Sequence, residues 1–507
     1  MANGGVNLTD LNNFMKNYAS GVIVPDQFVW GSLYDALKAN VKKDEFRGDA
    51  VEQLIQTSYP FTGTAFGENV DIPYPQALGF EKNWIPLKQV IVNAGLTKQA
   101  LDRAIGGDSS WGRAVDLVLR AQRDEFKWLM EVGSIGDGTG RLARVASSLF
   151  DTDHITVTCD NTYNDFGWEN VALLKKGMWV EIYDSAGLLV ADVAGGVPSG
   201  TMYATRYLVT GVSFGSRANG AATSGTVTLA CTADIDSVTP GTRSVGDGAI
   251  IYLAGTRSAV LADFAGTGVG SPTRAYIAKP QGGVAAYASL PMGLVGIVQR
   301  CDADPTAAEK SYTDDTVDCS LATFQGLTRA EFATLQSPVF NGADFKGVLG
   351  TPADWSLSVI SDAMNQTESD TGGKTDLLLC SSELAMAINR LNRSEQNFNV
   401  TINSSGAVNQ NAVGAMYANR FLCPDGRVIP ITVSKTIPRN VLYGLCLEDL
   451  DWYTKGDFDF LRLSGEIWDK SYDDRKANFE APFGGYSQLG VRRTDRCWVI
   501  QDMKDNI

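Results

Sequence analysis

Residues 109–145 read SSWGRAVDLVLRAQRDEFKWLMEVGSIGDGTGRLARV. Arg113, Asp116, Arg120, Asp124, Lys127 and Glu131 recur at steps of three or four, so they line one face of a helix. Their signs alternate, and each neighbouring pair adds only ~0.2–0.5 kcal/mol. The stripe therefore predicts a wet face, or one that meets a charged neighbour. Trp111, Val115, Val118, Leu119, Phe126, Leu129 and Met130 fill the other faces. Asp108, Ser109 and Ser110 offer N-cap oxygens, and Gly133 is placed to end the helix. A helix over 109–132 would span ~36 Å at ~1.5 Å per residue. The glycines from Gly133 to Gly140 then predict a joint. This is a girder with a hinge, and it carries no catalytic device.

The chain has 507 residues, enough for two to four domains, and 44% of them are hydrophobic. A net charge of −15 argues against sequence-independent binding to nucleic acid, which needs a basic surface. No apolar run approaches the ~20 residues of a membrane span. The start, MANGGVNLTDLNN, has no basic region followed by an apolar core, so no secretory signal is expected. Cys159, Cys231, Cys301, Cys319, Cys380, Cys423, Cys446 and Cys497 never form CxxC. They read as reduced, mostly buried thiols rather than a zinc site. His154 is the one histidine. Any histidine base must therefore be this residue, a metal cluster of several histidines is excluded, and a surface role on a strand is expected for it.

Outward from the helix, the chain changes character several times. Phe28–Ala39 is helical in pattern. Residues 55–95 read as an extended hairpin, too rich in proline and glycine for a central sheet. A projection of that length fits better on a neighbouring molecule than inside one domain. Residues 151–262 hold short alternating runs (KGMWVEIYD, YLVTGVSF, GTVTLAC, GDGAIIYLAG) between turns. They predict a small all-β barrel or sandwich inserted into another domain. PMGLVGIVQ is strand-like and Leu327–Gln336 helix-like. An α/β pattern follows: a helix around Asp354–Met364, the turn TGGK, the strand TDLLLC, and a helix ELAMAINRLN capped by Ser381 and Ser382. Residues 396–415 read as a polar loop. RVIPITV and NVLYGLCL are strands, and the tail after Phe460 holds at least two more.

The candidate motifs weigh little. GDGTG at 136–140 follows a helix, whereas a dinucleotide loop follows a strand. AGTGVGSP at 265–272 lacks the Lys-Ser/Thr of a phosphate loop. Asp449–Asp451, Asp457–Asp459 and Asp473–Asp474 lack a calcium loop. The first two pairs alternate with apolar residues and are read as solvated strand faces. No catalytic, cofactor-binding or metal-ligating residue is assigned, and no cofactor is expected.

The order of GFEKNWIPLKQVIV, the long helix with its GDGTGRLARV exit, the β insertion, KTDLLLCS, DWYTKGDFDFLRLSG and NFEAPFGGYSQLGVRR resembles the major capsid proteins of tailed bacteriophages, with the Hong Kong 97 fold. The resemblance covers roughly residues 10–505 and rests on order and lengths rather than on one motif. It implies an α+β fold. Its parts would be an N-terminal arm (1–50), an extended loop over a neighbour (51–98), and a spine helix with peripheral domain (99–150). The inserted β module (151–262) and continued peripheral domain (263–345) would follow, then an axial domain (346–455) and return strands (456–507). Lys82, Lys88 and Lys98 lie in or just after the loop, but the cross-linking chemistry of some members is not carried over, because no partner asparagine or catalytic glutamate is placed.

The implied function is a non-enzymatic, self-assembling icosahedral head shell, located in the virion and assembled in the host bacterial cytoplasm. Its implied partners are its own copies in pentameric and hexameric capsomers, a separate scaffolding protein, a portal, packaged double-stranded DNA on the interior and a decoration protein. No membrane is involved. Two alternatives stand beside this reading: a nanocompartment shell of the same fold around enzyme cargo, and a soluble multidomain enzyme with a β insertion.

Overall fold

The computed structural model describes, with short gaps, residues 32–58, 78–97, 110–159, 171–183, 207–231, 249–254, 290–298, 323–345, 354–395, 420–461, 468–470 and 478–503. The polar loop at 396–415, the Gly-rich run 265–272 and Asp473–Asp474 lie outside these residues.

The long helix runs over Ser110–Ile135, 26 residues, or about 39 Å. It passes through Gly133 rather than stopping there. The Gly136 N–H still reaches Val132 O at 3.0 Å, so a helical turn closes beyond the glycine. Gly133 stands close enough to Pro291 that a side chain would crowd it. One face lies on the sheet made by the strands Lys88–Thr97 and Asn478–Val491, which pair over ten residues. Gln122, buried within the helix, donates to the carbonyls of Val92 and Ala481, one on each strand. Phe126 meets Phe458 and Phe483 at ring distances of 4.9 and 5.2 Å.

The strand Asn478–Val491 organises this sheet. Leu450–Thr454, Asp459–Phe460, Asp469–Lys470 and Lys88–Thr97 all pair with it, and Val41–Lys43 extends the sheet beyond Leu450–Thr454. A second, mixed sheet has the order Val339–Asn341, Trp498–Gln501, Leu442–Leu445, Leu377–Cys380, Val428–Val433, Arg420–Leu422. Helices Leu357–Thr371 and Ser382–Glu395 belong to this α/β unit. The first is capped by Ser356 and closed by Gly372 at φ 69°, so the polar stretch after Met364 continues the helix. Ser381 caps the second, accepting from the Leu384 N–H at 3.2 Å. The tail divides between the sheets: Asn478–Val491 serves the first and Trp498–Gln501 the second. Leu450–Thr454, expected within the α/β unit, belongs to the first sheet.

The insertion is a closed six-stranded barrel, ordered Gly225–Cys231, His154–Cys159, Arg141–Phe150, Ala249–Leu253, Trp179–Tyr183, Tyr207–Ser213. Val145, Val157, Val180, Ile182, Val209, Val227, Leu229 and Ile251 are buried in it. It begins at Arg141, ten residues before the boundary read from composition. RLARVASSLF carries a register shift between Val145 and Ser147, and this bulge breaks the alternation that would have marked a strand. His154 opens one barrel strand opposite Ala230.

Two short segments differ from their local pattern. Leu294–Ile297 within PMGLVGIVQ is a helical turn, every residue of it buried. A continuous apolar run is compatible with a buried strand or a buried helix, and spacing does not separate them. Leu327–Gln336 holds a two-residue strand and a 3-10 turn at Ala333–Leu335 instead of a helix.

Candidate functional site: a buried carboxylate junction and an exposed hairpin face

Glu131 ends the charged stripe, yet it is fully buried. Its Oε2 accepts from the backbone N–H of Leu33 at 3.0 Å and of Tyr34 at 2.9 Å. Its Oε1 accepts from Leu33 N–H, Ser434 Oγ and Thr436 Oγ1, each at 3.1 Å. Leu33 and Tyr34 begin the short helix Ser32–Leu37. The carboxylate thus satisfies N–H groups that the start of a helix leaves without an internal partner, and it sits at the positive end of their dipoles. Tyr34 packs edge-on against Trp452 at 5.2 Å. Three segments far apart in sequence meet at one side chain.

The exit from the helix is equally fixed. Gly138 and Gly140 have φ of 85° and 81°, a region where a side chain costs energy. The returning chain bonds across this turn, Gly293 N–H to Gly136 O at 2.8 Å and Leu290 N–H to Gly138 O at 3.2 Å. A Cβ on Gly293 would stand 2.3 Å from the carbonyl carbon of Ser134. The Leu253 N–H donates to Gly140 O at 2.9 Å, so the barrel's last strand returns to the point where its first begins.

The hairpin pairs Ala50–Ser58 with Gly79–Pro86. One face carries Val51, Ile55, Asn83 and Ile85, all buried. Val51 and Ile85 pack on Tyr453, and Gln53 donates to the Tyr453 hydroxyl. The opposite face carries Leu54, Phe80 and Trp84, which are 70%, 56% and 51% exposed. Glu52 and Lys82 lie among them with an ion pair at 3.2 Å, and being exposed it adds at most about 1 kcal/mol. An isolated exposed leucine is ordinary, but three large apolar side chains on one side of two strands form a contact surface. The strand leading out of the hairpin changes partner at Leu87, after which Lys88–Thr97 joins the main sheet.

The acidic pair Asp449–Asp451 is not a solvated strand face. Both are buried. Asp449 binds Arg496 at 3.2 Å and Asp451 binds Arg492 at 3.0 Å. These bonds tie Leu450–Thr454 to the turn between the two tail strands. Asp457 and Asp459 are exposed and alternate with the less exposed Phe458 and Phe460, as a solvated edge does. The GDGTG glycines precede a strand and not a helix. Cys159, Cys380, Cys423, Cys446 and Cys497 are buried and form no disulfide. Burial pushes the Cys380 thiol up to about 12, with desolvation as the cause, so no reactive thiolate arises there. Among the described residues, no group of three or more His, Cys, Asp or Glu is placed to hold a metal ion, and no helix is long and apolar enough to cross a membrane.

No protein-family model matches the chain, and no curated protein matches it. It is similar to several solved structures. One is the Cyanophage A-1(L) capsid asymmetric unit, at 10% identity over 95% of both chains and a TM-score of 0.42. Another is the capsid of the native GTA particle, at 9% identity over 96% of this chain and 98% of that one, TM-score 0.39. A third is the capsid of Myoviridae Phage XM1, at 9% identity over 99% and 100%, TM-score 0.39.

Proposed function

We propose that this chain is the major capsid protein of a tailed double-stranded DNA bacteriophage, and that it self-assembles into the icosahedral head shell that encloses the genome. The observation that carries the reading is the hairpin's bare apolar face. Leu54, Phe80 and Trp84 are held on a pair of strands whose other side is already packed on the body. Burying what remains exposed of each on a partner would contribute about 1–2 kcal/mol before the costs of association. Copies of the chain are the partner that the resemblance of GFEKNWIPLKQVIV, the long helix and NFEAPFGGYSQLGVRR to this family implies.

In this reading the layout is that of the Hong Kong 97 fold. The helix Ser110–Ile135 and the sheet around Asn478–Val491 form the peripheral domain. The α/β unit meets its copies around the five- and six-fold axes, and the barrel stands on the outer surface. The function is interface burial rather than turnover. A separate scaffolding protein, a portal, interior DNA and a decoration protein complete the particle, in the virion after assembly in the host cytoplasm.

Electron microscopy of the purified chain tests this. Shells, rings of five or six, or sheets of such rings are the expected result. Monomers that persist at high concentration, with no shells or capsomers, overturn the reading. Enzyme cargo in place of DNA in particles from the native source would move it to a nanocompartment shell.

A further inference from the structure

Beside its packing on Tyr453, the root of the hairpin meets a side chain from a distant part of the chain. Asn83 lies on the packed face of Gly79–Pro86 and is fully buried. Its Nδ2 donates to Gln325 Oε1 at 2.6 Å and approaches Val491 O at 3.4 Å. The next residue, Trp84, donates its N–H to Gln325 O at 2.7 Å. Turned over, the Gln325 amide instead faces both groups of Val491, its nitrogen 3.1 Å from the carbonyl and its oxygen 3.2 Å from the N–H. In either orientation the two amides bridge the hairpin to the end of the main-sheet strand Asn478–Val491.

Gln325 adopts this position at local cost. Its φ is +49°, and among the described residues no other non-glycine has a positive φ. It sits between the two-residue strands Thr323–Phe324 and Leu327–Thr328, where a glycine would meet no such strain. Strain of this kind persists only where the surroundings over-determine it, and here the Gln325 amide is held by Asn83 and Val491. The elbow is adjacent: past Pro86 the chain leaves one strand partner and takes another. An elbow between two ladders has no ladder of its own to fix its angle.

We propose that Gln325 is a catch that sets the angle at which the hairpin leaves the body at Pro86–Leu87. Parting of the Gln325 amide from Asn83 and Val491 lets the hairpin swing as a unit, with both of its strands still paired. The device belongs to the single chain and does not depend on what covers the outer face.

Glycine at 325 accepts the positive φ and removes only the amide. Spin labels on unnatural residues at Lys82 and Lys374, both exposed, report the angle of the hairpin by pulsed dipolar spectroscopy. In the full-length chain one narrow distance distribution is expected. Q325G should at least double its width while circular dichroism stays unchanged. Asn83→Ala should do the same, and the double variant should be no broader than either single. A folded Q325G with the parental distribution overturns the proposal, as does broadening in Q325G with none in Asn83→Ala. A Q325G chain that fails to fold also overturns it, because the residue would then support the core rather than the angle.

Discussion

The Glu131 carboxylate and the Tyr34 N–H lie 2.9 Å apart across 97 residues of sequence. This bond fastens the short helix Ser32–Leu37 to the end of the long helix, while Ser434 and Thr436 approach from the α/β unit. Glu131→Ala would leave four donors facing a cavity. It should destabilise the chain by about 3–5 kcal/mol, the cost of removing one partner from a buried charged network. Hydrogen exchange is the direct check: Leu33 and Tyr34 amides should lose protection well before the amides of Leu377–Cys380. Equal protection in both proteins would remove the carboxylate from its anchoring role.

The hairpin's outer face should behave differently. Leu54→Asp removes a mostly exposed side chain and Trp84→Ser one that is half exposed, so folding stability should change by no more than ~1 kcal/mol. Association should weaken by at least about 2 kcal/mol for Trp84, the scale of a buried aromatic anchor. Sedimentation velocity alongside thermal unfolding separates the two effects. A variant that assembles like the parent would show that this face stays bare.

The barrel should be removable at its own boundaries. Because the Leu253 N–H bonds Gly140 O, a short glycine linker joining Gly140 to Ala254 bridges a small gap. The remaining chain should be soluble and keep the exchange protection of Ser110–Ile135. Excision from residue 151 would instead strand Arg141–Phe150, and that protein should aggregate. Comparing soluble yields of the two deletions decides the point.

Lys88 lies on the helix-facing side of its strand, and burial lowers its pKa from 10.5. Its charged form is therefore disfavoured in the folded chain. The cost is fully present below the lowered folded value and disappears as pH rises through 10.5. Lys88→Met should raise the melting temperature at neutral pH by about 1–2 °C, the scale of a sub-kilocalorie gain in a large chain. The gain should shrink towards pH 11. A gain independent of pH would assign the effect to packing instead of charge.

The long helix, the α/β pattern and the β insertion were legible because each is a local matter of period, capping and turn residues. What stayed hidden was tertiary. Glu131 continues the spacing of Arg120, Asp124 and Lys127, and nothing within a few turns shows that its acceptors are wanted by Leu33 and Tyr34. Asp449 and Asp451 alternate like a wet edge, and their arginines arrive some 40 residues later. Leu54, Phe80 and Trp84 share strands with Val51, Ile55 and Ile85, so both faces look apolar, and alternation does not tell which one the body covers. The signal that was available is that two apolar faces on one hairpin exceed what the rest of one chain covers.

The barrel has a further consequence. Among the described residues each of its six strands has a neighbour on both sides, so it has no free edge strand of the kind along which sheets of separate molecules zip together. In any lattice that sets many copies side by side, open-edged inserts would stitch neighbours into ribbons and compete with the intended contacts. The wall of a closed cylinder offers its neighbours mainly side chains. Such a barrel could therefore be crowded, and could drift in sequence, without adding edge pairings between copies.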